Sequence, residues 1–375
     1  MSARARIERL SLRQVRTYER LDLDLPSGTT VLVGPNGVGK TNLLEACAVV
    51  LSGASPRTSS ELRLVREGEQ VGRIAARVAI DDDVHERDVT LQLGKGKQLR
   101  VDSSPARSVD EFAARVPVVT FLPERLLVIR GAPQRRRALV DGLAARIVPG
   151  AARTQRDYTA ALQQRNALLR RAKVGHDVTA QLAPWTEQLL QHGSDYRNQR
   201  DQLLALVAEP HATRFEQLTG LGAATFAAEL RGTGDLAGDL EEAAAAERRR
   251  GSTLVGPHLD DVLPRVDGRD LRAFGSAGEQ RAALLAFTFA ARDVLAAHLG
   301  VEPVVLLDEP WSELDQDRRR RLTALLAQLE QVVVTSTEPP AHLGSVLDAV
   351  QVLSITSGQV QAWDQATSSS KGDEA

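Results

Sequence analysis

Gly34-Pro35-Asn36-Gly37-Val38-Gly39-Lys40-Thr41 decides the reading of this chain. It matches the phosphate-binding P-loop pattern in full, and its flanks are the ones that pattern needs. Thr29-Thr30-Val31-Leu32-Val33 before it is β-branched and apolar and predicts a buried strand. Asn42 to Leu51 after it predicts a helix. The glycines let backbone N–H groups turn inward around phosphate oxygens, and the helix N-terminus adds partial positive charge. The cradle is Gly34, Pro35, Asn36, Gly37, Val38, Gly39, Lys40, Thr41 and Asn42, with Lys40 reaching the terminal phosphates and Thr41 a Mg2+ ligand. A glycine-rich turn that binds nothing would need neither the Lys-Thr pair nor the strand-to-helix frame.

Far along the chain, Val304-Val305-Leu306-Leu307-Asp308-Glu309-Pro310 predicts a short apolar strand ending in two acids, the Walker B pattern that accompanies a P-loop. Asp308 is placed to hold Mg2+ together with Thr41, and Glu309 to orient or deprotonate an attacking water. Because Asp308 stands 268 positions beyond Lys40, a long segment must leave the nucleotide-binding fold and return. Within that segment, Ser276-Ala277-Gly278-Glu279-Gln280 opens an apolar helix. Ser276 with Glu279 is a capping box, and a helix N-terminus carrying a serine and a glycine is also a second phosphate-binding surface; both readings stand. Ser312-Glu313-Leu314-Asp315 follows the Walker B strand.

With 375 residues the chain can bury a substantial core, and a net charge of -2 excludes a global basic field, so any nucleic-acid surface is local. The single cysteine, Cys47, falls on the predicted P-loop helix and excludes an internal disulfide. The first residues lack the apolar core of a signal peptide, and no run approaches the ~20 apolar residues of a membrane span, so a cytoplasmic protein with no membrane partner is expected. The polar stretch 364–375 reads as a disordered tail.

Taken in order, the P-loop, Ser-x-Gly-x-Gln, Leu-Leu-Asp-Glu and Ser-x-Leu-Asp resemble the head of the ABC ATPase superfamily. Val15-Arg16-Thr17-Tyr18, Phe121-Leu122-Pro123-Glu124, Gly131 to Arg137 and Gly256-Pro257-His258-Leu259-Asp260-Asp261 narrow the resemblance to the RecF family of its SMC-like branch. The resemblance implies an α/β P-loop ABC-type ATPase head with an inserted helical, short antiparallel coiled-coil-like arm. It implies residues 1–132 and 251–363 as the head and 133–250 as the insertion. ATP and Mg2+ are the implied cofactors, and Lys40 and Glu309 the catalytic residues. Ser276, Gly278 and Gln280 would complete the partner subunit's site in trans, with Ser312 and Asp315 at the dimer interface. The implied partners are duplex or gapped DNA, RecR and RecO, with an ATP-dependent homodimer closing as a clamp and a recombinase loaded at gapped DNA. Leu259 stands where the family usually has arginine, so no contact is carried onto it. Val334-Thr335-Ser336-Thr337-Glu338 offers hydroxyls where transporter ATPases have a switch histidine, which implies slow or partner-dependent hydrolysis. An ATP-binding switch with negligible turnover and a transporter ATPase subunit are the other readings; the missing histidine and the arm count against the second.

In the insertion, Leu182, Trp185, Leu189, His192, Tyr196, Gln199, Leu203 and Leu206 recur at spacings of three and four, and predict one helix of a pair with the run 151–173. Two helices of ~25 residues would extend about 38 Å, as an arm or packed flat. Residues 123–173 carry twelve Lys or Arg against three acids, a net of +9. Arg125, Arg130, Arg135, Arg136, Arg137, Arg146 and Arg153 are the candidate contacts to duplex phosphates, since arginine presents a planar donor fork.

Overall fold

The computed structural model describes residues 2–123, 126–338 and 350–363 and divides into two compact units, Met1–Pro123 with Leu295–Ala375, and Glu124–Val294. The first unit opens with β1 (Ala3–Val15), β2 (Tyr18–Asp24), β3 (Gly28–Val33) and α1 (Lys40–Ser52), then a short 3-10 turn. It continues with β4 (Val71–Ile80), β5 (Asp83–Gln92), β6 (Gly96–Val101), β7 (Ser104–Pro105), α2 (Val109–Ala113) and β8 (Val118–Phe121). The second unit comprises α3 (Leu126–Arg130), α4 (Pro133–Ile147), α5 (Ala151–Lys173), α6 (Thr179–Thr219), β9 (Ala224–Glu229) and α7 (Leu236–Arg250). It ends with β10 (Asp261–Val266), β11 (Arg269–Asp270), α8 (Leu271–Phe274) and most of α9 (Ala277–Leu299). The chain then re-enters the first unit through β12 (Val301–Glu302), β13 (Val304–Leu307), α10 (Gln316–Leu326), β14 (Gln331–Ser336), β15 (Val350–Thr356) and β16 (Gln359–Ala362).

Two sheets sandwich α1. One has the order β16-β15-β3-β14-β13-β8, parallel except at the β16 edge; the other runs β12-β1-β4-β5-β6-β7 with β2 also on β1. Helix α1 packs on β13 and β14 of the first sheet and on β4 and β5 of the second, which is why Leu43, Leu44, Ala46, Cys47, Val49, Val50 and Leu51 are all buried and no polar stripe interrupts it. Strands β3 and β13 are apolar without alternation because a parallel sheet is covered on both faces, whereas β4 alternates buried and exposed residues. The sheet order closes the long separation along the chain. β14 lies between β3 and β13, pairing Val334 with Val31 and Leu307, so the carboxyl ends carrying the P-loop and the acids sit one strand apart.

The second unit is more than a pair of arm helices. α5 and α6 have 23 and 41 residues, α6 running through Pro184 and Pro210, and α7 packs on both. Tyr158, Ala161, Leu189, Leu236 and Leu240 form their apolar centre, while β9, β10 and β11 make a small antiparallel sheet. The predicted stripe is displaced on its C-terminal half. Leu206 is 51% exposed, and Gly193, Arg197, Arg200 and Val207 turn inward instead. Arg197 is paired with Asp260 and Arg200 with Asp141, at 2.8 and 2.9 Å, so carboxylates from other elements supply the inward face that the apolar spacing could not reveal. The division by contacts also groups residues 251–294, read from sequence as head, with the helical segment. Helix α9 is long and apolar enough to cross a membrane by length and composition, contrary to the reading that no run approaches that size; most of that stretch is buried inside the protein. The tail 364–375 lies outside the described residues.

Candidate nucleotide site

The P-loop is shaped by close approaches that exclude side chains. Gly39 has φ of 114°, a left-handed conformation, and a Cβ there would stand 2.5 Å from Thr17 Oγ1. Gly34 runs against β15, where a Cβ would meet the Ile355 carbonyl at 2.5 Å. The Tyr18 hydroxyl, fully buried, donates to the Gly39 carbonyl at 3.0 Å, and burial raises the phenol's pKa so that it stays a donor. Helix α1 starts at Gly39 with no side-chain cap and no acid in its first turn. Its leading N–H groups and the positive end of its dipole are therefore turned toward the loop without a competing carboxylate, the condition for holding an anion.

Opposite the loop stand the two acids. Thr41 Oγ1 donates to the Asp308 carboxylate at 2.9 Å, linking residues 267 positions apart. Asp308 is 3% exposed and also accepts from Thr335 Oγ1 at 2.5 Å, while Thr335 Oγ1 accepts from the Glu309 N–H at 2.9 Å. Glu309 has φ of 48°, which turns its side chain back to Lys40 Nζ at 3.3 Å and to the Thr337 N–H at 3.2 Å. Lys40 Nζ donates to the Gly34 and Pro35 carbonyls at 2.6 and 3.1 Å. The hydroxyl and carboxylate oxygens of Thr41 and Asp308 are hard donors on one spot and suit Mg2+, which binds through few protein oxygens plus water and phosphate. A cleft of about 770 Å³ beside the loop is lined by Arg16, Thr17, Asn36, Gly37, Val38, Arg66, Glu67 and Ser357.

The RecF/RecN/SMC N-terminal domain family matches residues 6–359. The DNA replication and repair protein RecF of Gloeobacter violaceus is 32% identical over 94% of this chain and 97% of its own length. The chain belongs to the RecF family. Among solved structures, the recombination mediator protein RecF with ATP superposes with a TM-score of 0.85 at 23% identity, covering 97% of this chain and 99% of that one. An Smc head domain with an extended coiled coil from Pyrococcus furiosus superposes with a TM-score of 0.58 at 18% identity, covering 98% of each. These likenesses give the ABC/SMC-type α/β fold.

In this RecF-family chain the signature segment lies in the second unit. Ser276 is exposed and forms a complete capping box, its N–H and hydroxyl donating to Glu279 Oε2 at 2.8 Å and its hydroxyl accepting from the Glu279 N–H at 3.2 Å. Gly278 is half-buried beside it. Gln280 departs from the expectation that it faces a cofactor. It is 4% exposed, donates to the Leu271 and Gly275 carbonyls and accepts from Arg130 Nε, and so braces the turn before α9. In the first unit, Ser312 is exposed and Asp315 caps α10, accepting from the Arg318 N–H at 2.9 Å.

The candidate DNA arginines separate into several environments. Arg136 is a correction: it is 1% exposed, clasps Asp261 through two bonds of 2.8 Å and donates to three carbonyls at the end of α3, so it presents nothing to a ligand. Arg137 donates to the Asp260 carbonyl at 2.6 Å, and burial lowers its pKa. Arg130 is exposed but engaged by Gln280. Arg135 and Arg153 are exposed, the latter beside Asp157 at 3.5 Å; Arg146 reaches the surface as well, but packing desolvates its guanidinium and lowers its pKa, and Arg125 lies outside the described residues. His258 bonds Tyr158 at 2.7 Å, and burial brings its pKa down to about 4, so it is a neutral part of the second unit's interior. The residues not assigned from sequence are Thr335, Tyr18 and Arg16. A hydroxyl directly after the β14 apolar run was the available signal for Thr335; Tyr18 stood in a segment that carried the family resemblance, but nothing local gave it a role, which depends on a glycine 21 positions away.

Proposed function

We propose that the chain is a Mg-ATP-dependent DNA-binding protein of recombinational repair whose ATP-bound heads dimerise as a clamp on duplex or gapped DNA and open on hydrolysis. The observation that carries this reading is the bond between Thr41 and Asp308, with Glu309 against Lys40, at the mouth of an uncapped helix. Thr41 and Asp308 would hold Mg2+, which supplies charge neutralisation at the phosphates. Lys40 would exchange the Gly34 and Pro35 carbonyls for phosphate oxygens. Released from Lys40, Glu309 would accept a proton from, or orient, the attacking water. Ser276 and Gly278 would complete the site of the opposite subunit, the serine turning from Glu279 to a terminal phosphate, and Ser312 and Asp315 would lie at that dimer interface. Gln280 acts as a brace in this reading. Arg135, Arg146 and Arg153 remain candidate phosphate contacts. RecR and RecO are the partners that the family suggests, recombinase loading at gapped DNA the outcome, and the cytoplasm the location.

Light scattering with Mg-ATP tests this. Wild type is expected to dimerise transiently and Glu309→Gln persistently, while Ser276→Arg binds ATP as a monomer and Lys40→Ala fails to bind it. A folded Lys40→Ala protein with undiminished ATP affinity would remove the P-loop from the reading, and a Ser276→Arg protein that still dimerises would remove the trans site.

A further inference from the structure

Two helices of the second unit end together on cations. α5 closes with Arg170, Arg171 and Lys173, and α7 with Arg248, Arg249 and Arg250, all six exposed. The ends are neighbours: a Cβ on Gly251, the residue that terminates α7, would stand 3.2 Å from the Lys173 side chain and 3.5 Å from the Arg170 backbone. Among the described residues none of the six has an ion pair, and their one side-chain hydrogen bond is Arg171 to Gln181 Oε1 at 3.3 Å. Of the nearby acids, Glu247 is buried against Arg165 at 2.6 Å and bonded to the Leu254 N–H. Asp177, exposed after α5, feels the field of Arg248.

Basic residues at a helix C-terminus are ordinary, because each dipole presents about half a negative charge there. Two dipoles and Asp177 offset roughly two charges and leave about four on one small surface. The contrast within the unit is sharp. Arg136, Arg165, Arg197 and Arg200 each have a carboxylate within 3 Å, so this part of the chain does pair its arginines where they are structural.

We propose that this paired helix end is a second contact for the phosphate backbone of duplex DNA, formed by the α5 and α7 termini. It rests on the DNA-binding reading above and adds a surface to it. Five arginine forks and one lysine suit phosphate oxygens and carry no base readout, so the surface strengthens binding without choosing a sequence.

Two full-length variants test it by fluorescence anisotropy with a labelled duplex and Mg-ATP: Arg170→Gln with Arg171→Gln and Lys173→Gln, and Arg248→Gln with Arg249→Gln and Arg250→Gln. If three phosphates are lost in each, the slope of log K against log salt becomes shallower by ~2.7, which narrows the affinity ratio between 50 and 200 mM salt by about 40-fold. ATP affinity should match wild type, and the thermal midpoint should fall only modestly, as lost dipole compensation at one helix end requires, and stay above the assay temperature. Should a triple variant fold poorly, the single variants Lys173→Gln and Arg249→Gln replace it, each expected to take ~0.9 from the slope. Wild-type slopes and affinities in every variant, alongside a wild type that binds DNA, overturn this proposal alone. A wild type that binds no duplex overturns the DNA reading and this proposal with it. Intact duplex binding with lost binding of polyglutamate would also overturn it and assign the surface to an acidic protein.

Discussion

Replacing Arg136 by methionine separates a binding arginine from a structural one. Its guanidinium clasps both oxygens of Asp261 and also caps the Val128, Ile129 and Gly131 carbonyls. Methionine fills similar volume, yet it leaves a carboxylate only 8% exposed with the Arg272 guanidinium at 3.3 Å and the Val262 N–H as its remaining partners. Breaking one side of a buried pair costs roughly 3–5 kcal/mol. Retained Arg272 places the loss near the lower end, about 3 kcal/mol, or more than a hundredfold in the unfolding equilibrium of the second unit. Arg135→Met removes the same charge from an exposed neighbour and should stay within about 0.5 kcal/mol of wild type. Urea titrations and hydrogen exchange over residues 126–147 measure both. Arg136→Met with Asp261→Leu should recover part of the loss, because no charge is then stranded. If Arg136→Met proved as stable as Arg135→Met but lost DNA binding, Arg136 would be a DNA contact and the structural role of its pairing with Asp261 would be refuted.

Burial holds His211 neutral, its Nε2–H donating to the Ala283 carbonyl at 2.9 Å and its pKa lowered to about 4. Between that value and ~6.5 the unfolded chain binds the extra proton, so the contribution of His211 is complete above ~6.5 and declines by up to ~3 kcal/mol as pH falls toward 4; His211→Gln should remove that share of the decline, leaving the share of His258, in urea midpoints taken at pH 7 and 4.5. Thr335→Val keeps the shape of β14 but removes the hydroxyl that donates to Asp308 and accepts from the Glu309 N–H. It should weaken Mg-ATP binding about tenfold by calorimetry, with Thr335→Ser close to wild type; equal affinities would remove Thr335 from the site.

The P-loop, its strand and its helix were legible because their chemistry is local: glycines, Lys40, Thr41 and an apolar frame all fall within about twenty residues. Walker B was legible as its partner, although only the β3-β14-β13 order explains how residues 267 apart meet. The capping box at Ser276 was visible from spacing and forms. The bracing contacts of Gln280 were not legible, because the turn that leaves residue 276 on the surface buries residue 280, a distinction that no short pattern encodes.

The basic window 123–173 shows why the remaining surface was not legible. A linear window counts charge, whereas phosphate responds to charge that the fold has left unpaired. The partners that neutralise it come from afar: Asp261 lies 125 positions from Arg136 and Glu247 lies 82 from Arg165. Arg153 meets Asp157 one turn away, and Arg137 is drawn to a carbonyl 123 positions on. Conversely, Arg248, Arg249 and Arg250 fall outside any window around residue 150, yet the packing of α7 on α5 brings them beside Lys173. Topology therefore subtracts cations from the stretch that looked most basic and assembles others at the end of two helices, so the salt dependence of DNA binding should follow Arg170 to Lys173 and Arg248 to Arg250 more closely than Arg136 or Arg137.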